Sequence, residues 1–221
     1  MNERQHYEEK MGRELGPIFQ AASIELSWMH WRWKQFRILF GEKPARLELL
    51  NQAAPFFFET VRQSLFEFTL LGIARLVGPP RSVGKTNLSL QAIPPLCDSN
   101  LRDEVLGLVK KAKDAGAFAI EWRNRHIAHR DLALSLGEGT KLLEIATRDK
   151  VENSLATLRN VLNCVEVKYF QATTLYDSPT PWDAESLLCV LRDGLLREKD
   201  RQACWDRGEN HADDVHPLGP I

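Results

Sequence analysis

The stretch PFFFETVRQSLFEFTLLGIARLV, residues 55–77, limits what this chain can become more than any other segment. Its apolar residues recur at helical spacing, and it is long enough to cross a bilayer. Glu59, Arg62, Glu67 and Arg75 interrupt it at intervals too costly for a spanning helix, so the segment predicts a helix buried in a protein core. Such a helix needs others around it. With 221 residues, 43% of them hydrophobic and 27% charged, the chain has the material for a continuous core.

The i, i+3, i+4 apolar spacing recurs along the sequence, while β-branched alternation is scarce. A first helical region is predicted over about 3–40, bent at LGPI because Pro17 lacks a backbone donor. A second covers about 45–77 and is interrupted near Pro55. A third begins at DSNLRDE, where Asp98, Ser99 or Asn100 can cap it, and reaches about 130 after loosening at Gly116. A fourth spans about 148–176, and a shorter one about 182–204. This order predicts an all-α chain: an antiparallel four-helix bundle with an accessory C-terminal helix. The expected boundaries are 1–176 for the bundle, 177–205 for the accessory helix and 206–221 for a disordered tail.

Composition narrows the partners. A net charge of −1 argues against non-specific coating of nucleic acid, so any such contact must be local. Cys97, Cys164, Cys189 and Cys204 form no CxxC pair, as expected of reduced thiols in a cytoplasm. The opening MNERQHYEEK is charged throughout and does not read as a signal peptide, so no membrane partner is expected.

Three segments invite a functional reading and fail it. GPPRSVGKT looks like a phosphate-binding loop, but five residues separate Gly78 from Gly84 where the motif needs four. The preceding LLGIARLV belongs to a helix instead of a strand, and Pro79 and Pro80 supply no N–H groups. A helix stop and an ordered loop are expected, with Thr86 or Asn87 capping the next turn. In SWMHWRWKQF, Trp28, Trp31, Trp33 and Phe36 alternate with Arg32, Lys34 and Arg37, a pattern able to clamp single-stranded nucleic acid. Ile24, Trp28, Trp31 and Leu39 share one helical face, however, which favours core or a subunit interface. His211, Asp213, Asp214 and His216 are metal-ligand types with no visible scaffold, and the Glu-x-x-His pairs on two helices that a di-iron bundle needs are lacking. No metal and no cofactor is expected.

The segment EWRNRHIAHRDLAL, residues 121–134, carries three arginines and two histidines within eight positions. At about 100° per residue, Trp122, Arg123, Arg125, His126, His129 and Arg130 fall on one arc. Ala117, Ile120, Ile127 and Ala128 fall on the opposite arc, with Asn124 among them and in need of a hydrogen-bond partner. Guanidinium matches phosphate oxygens, and imidazole exchanges protons near neutrality. The combination suits RNA cleavage without a metal, in which one imidazole takes the 2′-hydroxyl proton and a second acid protonates the leaving oxygen. A solvated helix face is the competing account.

The phrase WRNRHIAHRDL following IARL…GKTNLSL in an all-helical chain resembles HEPN domains, specifically the AbiU2-like group of bacterial antiphage defence. Their signature places an arginine four to six residues before a histidine, often with a polar residue directly after the arginine. Arg123, Asn124 and His129 fit it. Arg125 and His126 match no signature position and remain supporting candidates. The resemblance covers about residues 10–175. It implies a homodimeric bundle with facing signature helices and a composite endoribonuclease site. There the two His129 copies serve as acid and base while Arg123 holds the scissile phosphate. It also implies a phage-defence or toxin–antitoxin setting with an unidentified antitoxin or regulatory partner. Asp131 stands where toxins modified by nucleotidyltransferase antitoxins carry a tyrosine. The alternative is a catalytically idle helical dimer that binds RNA or a partner protein.

Overall fold

Apolar spacing decides where this chain becomes helical, and backbone breaks decide where each helix stops. The computed structural model describes residues 3–41, 43–127, 136, 143–177 and 183–212. The chain runs through α1 (Glu3–Met11), α2 (Leu15–Phe36), a π-helical turn (Arg37–Gly41), α3 (Pro44–Ala53) and α4 (Pro55–Val77). A short hairpin follows, β1 (Arg81–Ser82) and β2 (Lys85–Thr86), then two 3₁₀ turns, Leu90–Ala92 and Pro94–Leu96. Next come α5 (Ser99–Ala115), α6 (Ala117–Trp122), a second π-helical turn (Arg123–Ile127), α7 (Arg148–Phe170) and α8 (Ala184–Asp206). The hairpin is the only β-structure among the described residues, so the chain is all-α as the spacing predicts.

The chain divides into two compact units: Met1–Lys34 with Ser64–Ser178, and Gln35–Gln63 with Pro179–Ile221. In the first, side-chain contacts give the helix directions. Glu25 meets Arg75, Met29 lies against Gly72 and Arg32 sits over the Phe68 ring, so α2 and α4 run antiparallel. A Cβ at Gly72 would overlap the Met29 side chain, which marks how closely these two helices pack. Ser154 Oγ donates to the Ala115 carbonyl at 2.9 Å, while Cys164 faces Glu104, so α5 and α7 are also antiparallel. Burial and then Glu104 push the Cys164 thiol up to about 11, which keeps it protonated and unreactive. The shared core includes Leu26, Met29, Leu70, Ile73, Val105, Leu158 and Leu162.

In the second unit, Gln35 is a buried polar anchor. Its amide oxygen accepts from the Ala184 N–H at 3.0 Å, one of the orphan donors at the start of α8, and its Nε2 donates to Asp183 Oδ2 at 3.3 Å. Asp183 caps the same helix by accepting from the Glu185 N–H.

Two expectations move. The bend foreseen at LGPI lies earlier, at Gly12, whose φ of +86° ends α1. Pro17 falls in the first turn of α2, where a missing donor costs no intrahelical bond. The face Ile24, Trp28, Trp31 and Leu39 is not a core face: the first three are 49%, 51% and 41% exposed, and only Leu39 is buried. The buried stripe of α2 is Phe19, Ala22, Leu26, Met29 and Trp33, which fits an alternating three- and four-residue step better. The tail from residue 213 onward lies outside the described residues.

His30 is buried in the first unit, stacked 5.4 Å from the Tyr176 ring. Its Nδ1 lies 2.9 Å from Asp177 Oδ1, and Asp177 also receives Arg159. Burial lowers the imidazole pKa and outweighs the opposing pull of Asp177. The native state therefore resists a proton that the unfolded chain accepts, so stability is lost as pH falls through the ordinary histidine range. Thermal denaturation between about pH 7.5 and about pH 5.5 is expected to show a falling midpoint, and His30→Gln is expected to flatten that dependence. An unchanged slope in the variant would assign the acid sensitivity elsewhere.

Candidate functional site

The third long helix is set in place by one glycine. Gly116 ends α5 with φ −93° and ψ 3°, a conformation open to any residue, so its need is spatial. A Cβ there would lie 2.9 Å from Val77 Cγ1 and 3.0 Å from Ile73 Cγ2. The missing side chain lets the α5–α6 junction rest on the last turns of α4. From there α6 returns along α4, and Trp122 meets Phe66 edge-on at 5.8 Å. The helix restart also changes which side is buried: Phe118 and Ala119 face the core, while Ala117, foreseen as a core residue, is exposed.

At Arg123 the helix widens into the π-helical turn, which adds a residue to the turn and is often found at functional sites. The uniform 100° wheel fails at this point. Asn124, which that wheel sets among apolar residues, is exposed and accepts a hydrogen bond from Arg123 Nε at 3.0 Å. Trp122 Nε1 donates to the Glu144 carbonyl at 2.8 Å and fixes the start of the turn. His126 packs its ring edge-on against Trp122, with centroids 5.2 Å apart. Arg123, Arg125 and His126 are half-buried. His129, like Arg130 and Asp131, lies outside the described residues.

Arg123 opens onto a cleft of about 430 Å³, shared with Leu71 and Arg75 of α4 and with Ser82, Thr86 and Asn87 of the hairpin segment. Composition and periodicity do not point to these neighbours. Ser82, Thr86 and Asn87 lie in or beside the GPPRSVGKT look-alike, and Arg75, Thr86 and Asn87 fall within the IARL…GKTNLSL phrase of the family resemblance, neither of which gives them a role in the site. The structure of the look-alike is different: an antiparallel hairpin in register Arg81 with Thr86 and Ser82 with Lys85, following a helix. Thr86 and Asn87 do not cap the next turn as foreseen. Thr86 is spent in the hairpin, and the Asn87 amide donates to Pro79 O and Ser82 Oγ at 3.1 and 2.8 Å. Ser89 is the cap instead, accepting from the Gln91 N–H at 3.2 Å.

The base of this loop is tied to the end of α4. Ser89 Oγ donates to the Gly78 carbonyl, and Gln91 Nε2 donates to the carbonyls of Val77 and Gly78 at 2.7 and 2.9 Å. Helix-end carbonyls that would otherwise lack partners are thereby satisfied. Among the described residues no group of three or more His, Cys, Asp or Glu side chains could hold a metal ion. Of the tail residues considered as ligands, His211 is described and Asp213, Asp214 and His216 lie outside the described residues. No described helix is long and apolar enough to cross a membrane.

An all-α domain with a basic π-helical turn over a polar cleft is the class these observations define. The AbiU2 family of HEPN domains matches residues 13–186, and the chain belongs to that family. No curated protein and no solved structure matches it. Membership points to an antiphage, abortive-infection role.

Gly116→Ala tests the anchoring contact. Helix propensity alone would favour alanine by up to about 1 kcal/mol. Overlap with the buried Ile73 and Val77 is expected to reverse the sign, at a cost of about 1–3 kcal/mol in urea denaturation. A neutral or stabilised variant would mean that α6 does not approach α4 this closely.

Proposed function

We propose that this chain is a metal-independent endoribonuclease acting in phage defence or a toxin–antitoxin system, with its site completed by a second copy of the chain. The observation carrying this reading is that Arg123 stands at a widened turn on an open polar cleft, inside the segment matched by the AbiU2 family. The Arg123–His129 spacing and the polar Asn124 supply the signature residues.

In the reaction, one imidazole removes the proton of a ribose 2′-hydroxyl. The 2′-oxygen then bonds to the adjacent phosphorus. The bond from phosphorus to the 5′-oxygen breaks, and that oxygen takes a proton from a second acid, the other copy of His129. The products are a 2′,3′-cyclic phosphate end and a 5′-hydroxyl end. Arg123 balances charge on the pentacoordinate phosphorus, and the requirement for a 2′-hydroxyl restricts the substrate to RNA. Asn124 holds the guanidinium through its side-chain oxygen. Arg125 and His126 are supporting residues, His126 through its packing on Trp122.

Purified protein is expected to cut RNA in the presence of EDTA and to leave 2′,3′-cyclic phosphate ends. His129→Ala and Arg123→Ala are each expected to lower the rate by about 100-fold or more while circular dichroism is unchanged. Wild-type protein that binds varied RNAs without cutting them would replace this reading with that of an idle RNA-binding dimer.

A further inference from the structure

The loop that fails as a nucleotide-binding motif stands beside Arg123 all the same. Its cleft is lined by two guanidinium groups, Arg75 and Arg123, with the Ser82 and Thr86 hydroxyls and the Asn87 amide between them. No acidic side chain lines the cleft among the described residues. Lys85 does not line the cleft, but it is exposed on the same hairpin between two residues that bear on it, as the cross-strand partner of Ser82 and the neighbour of Thr86, and it supplies a third cation at the rim. Arg75 is braced by Glu25 on α2, an ion pair that holds the guanidinium in place.

Two features would oppose an anion here, and the structure deals with each. The end of α4 carries carbonyl oxygens, but the donors of Ser89 and Gln91 already cover those of Val77 and Gly78. Pro79 and Pro80 remove the backbone N–H groups that a nucleotide-binding loop would wrap round phosphate, so recognition falls to side chains. The cleft volume of about 430 Å³ suits a group of mononucleotide size.

We propose that the cleft between the end of α4, the β1–β2 hairpin and the π-helical turn binds a phosphate group of an RNA strand, with Arg75 and Lys85 as its positioning residues next to Arg123. The inference rests on the nuclease reading for the identity of the strand, and on the cleft alone for its phosphate chemistry. In this arrangement the hairpin sets the strand's path past Arg123. A phosphate adjoining the scissile one occupies the cleft and holds the 2′-hydroxyl in register.

Binding of a short 2′-O-methyl RNA, which has no free 2′-hydroxyl and cannot be cut, separates binding from chemistry. Fluorescence anisotropy is expected to show about ten-fold weaker binding at low salt for Lys85→Gln and for Arg75→Gln. The slope of log affinity against log salt should fall by about one for each. Lys85 is exposed on the hairpin, so its variant carries the test if Arg75→Gln, which strands Glu25, unfolds. AMP and inorganic phosphate are titrated alongside. Their loss in the variants with RNA affinity unchanged would assign the cleft to a free phosphate ligand and overturn the strand assignment. Unchanged affinity for all three probes would overturn the cleft as an anion site. Wild-type protein that binds the blocked RNA through these residues, yet leaves ordinary RNA whole, defeats the nuclease reading and spares the cleft. Efficient cleavage with wild-type binding in both variants does the reverse.

Discussion

The close approach of Gly116 to Ile73 and Val77 is the constraint from which the geometry of the site follows. Without a Cβ at this position, the α5–α6 junction rests on the closing turns of α4. The same turns of α4 feed directly into the hairpin. One glycine therefore ties two sequence-distant segments, residues 78–88 and 122–127, to a common support. Protein interiors pack densely enough that a displacement of a few tenths of an ångström at such a point is transmitted, not absorbed. A cleft lined by both Arg123 and Ser82 depends on that rigidity.

Rigid support matters because the cations involved are local. The chain as a whole carries a formal charge of −1, so there is no broad positive field to draw in a polyanion. At physiological ionic strength, charges are screened beyond about 8 Å. The proposed site therefore relies on short-range contact by groups held in advance: Arg75 by Glu25, Arg123 by Asn124, and Asn87 by Pro79 and Ser82. Side chains fixed in this way give up less conformational freedom on binding than extended ones would.

Most of the helices were legible because they leave a periodic apolar trace, although α1 has almost none and buries only Met11, and the charges of residues 55–77 rightly tell against a membrane span. That segment is not the wholly buried helix expected: from Thr69 onward most of it packs inside, while Phe56, Phe57 and Phe68 are exposed. The break at Pro55 and the loosening at Gly116 follow from the chemistry of those two residues. Three features were not legible, each for a physical reason. The π-helical turn at Arg123 costs one altered hydrogen-bond step that no residue type announces, yet it moves Asn124 from the apolar arc to solvent. The hairpin is too short for an alternating pattern, and its turn sets Val83 at φ +47°, where a β-branched residue is strained and so gives no warning. The tryptophans of α2 misled because a helical wheel ranks faces by hydrophobicity alone. Phe19, Leu26, Met29 and Trp33 compete for the same core and win it. For the candidate site, Arg123, Asn124 and His126 could be read from the signature segment, whereas Arg75 and the hairpin residues, though partly within the IARL…GKTNLSL phrase, carried no sign that they stand beside Arg123. Only the fold brings them within reach.

His126 lies in the described part of the signature, and its surroundings bear on the supporting role proposed for it. The His126 ring is engaged edge-on by Trp122, whose own indole N–H is held by the Glu144 carbonyl. That contact fixes the orientation of the ring beside the wide turn. In the proposed site this packing places His126 within the same wide turn that carries Arg123. The proposed reaction takes His129 for proton transfer from the family signature, in which position 126 has no place. The packing of position 126 on Trp122, whose indole is itself tied to the Glu144 carbonyl, is consistent with a supporting place for that residue in the proposed reaction.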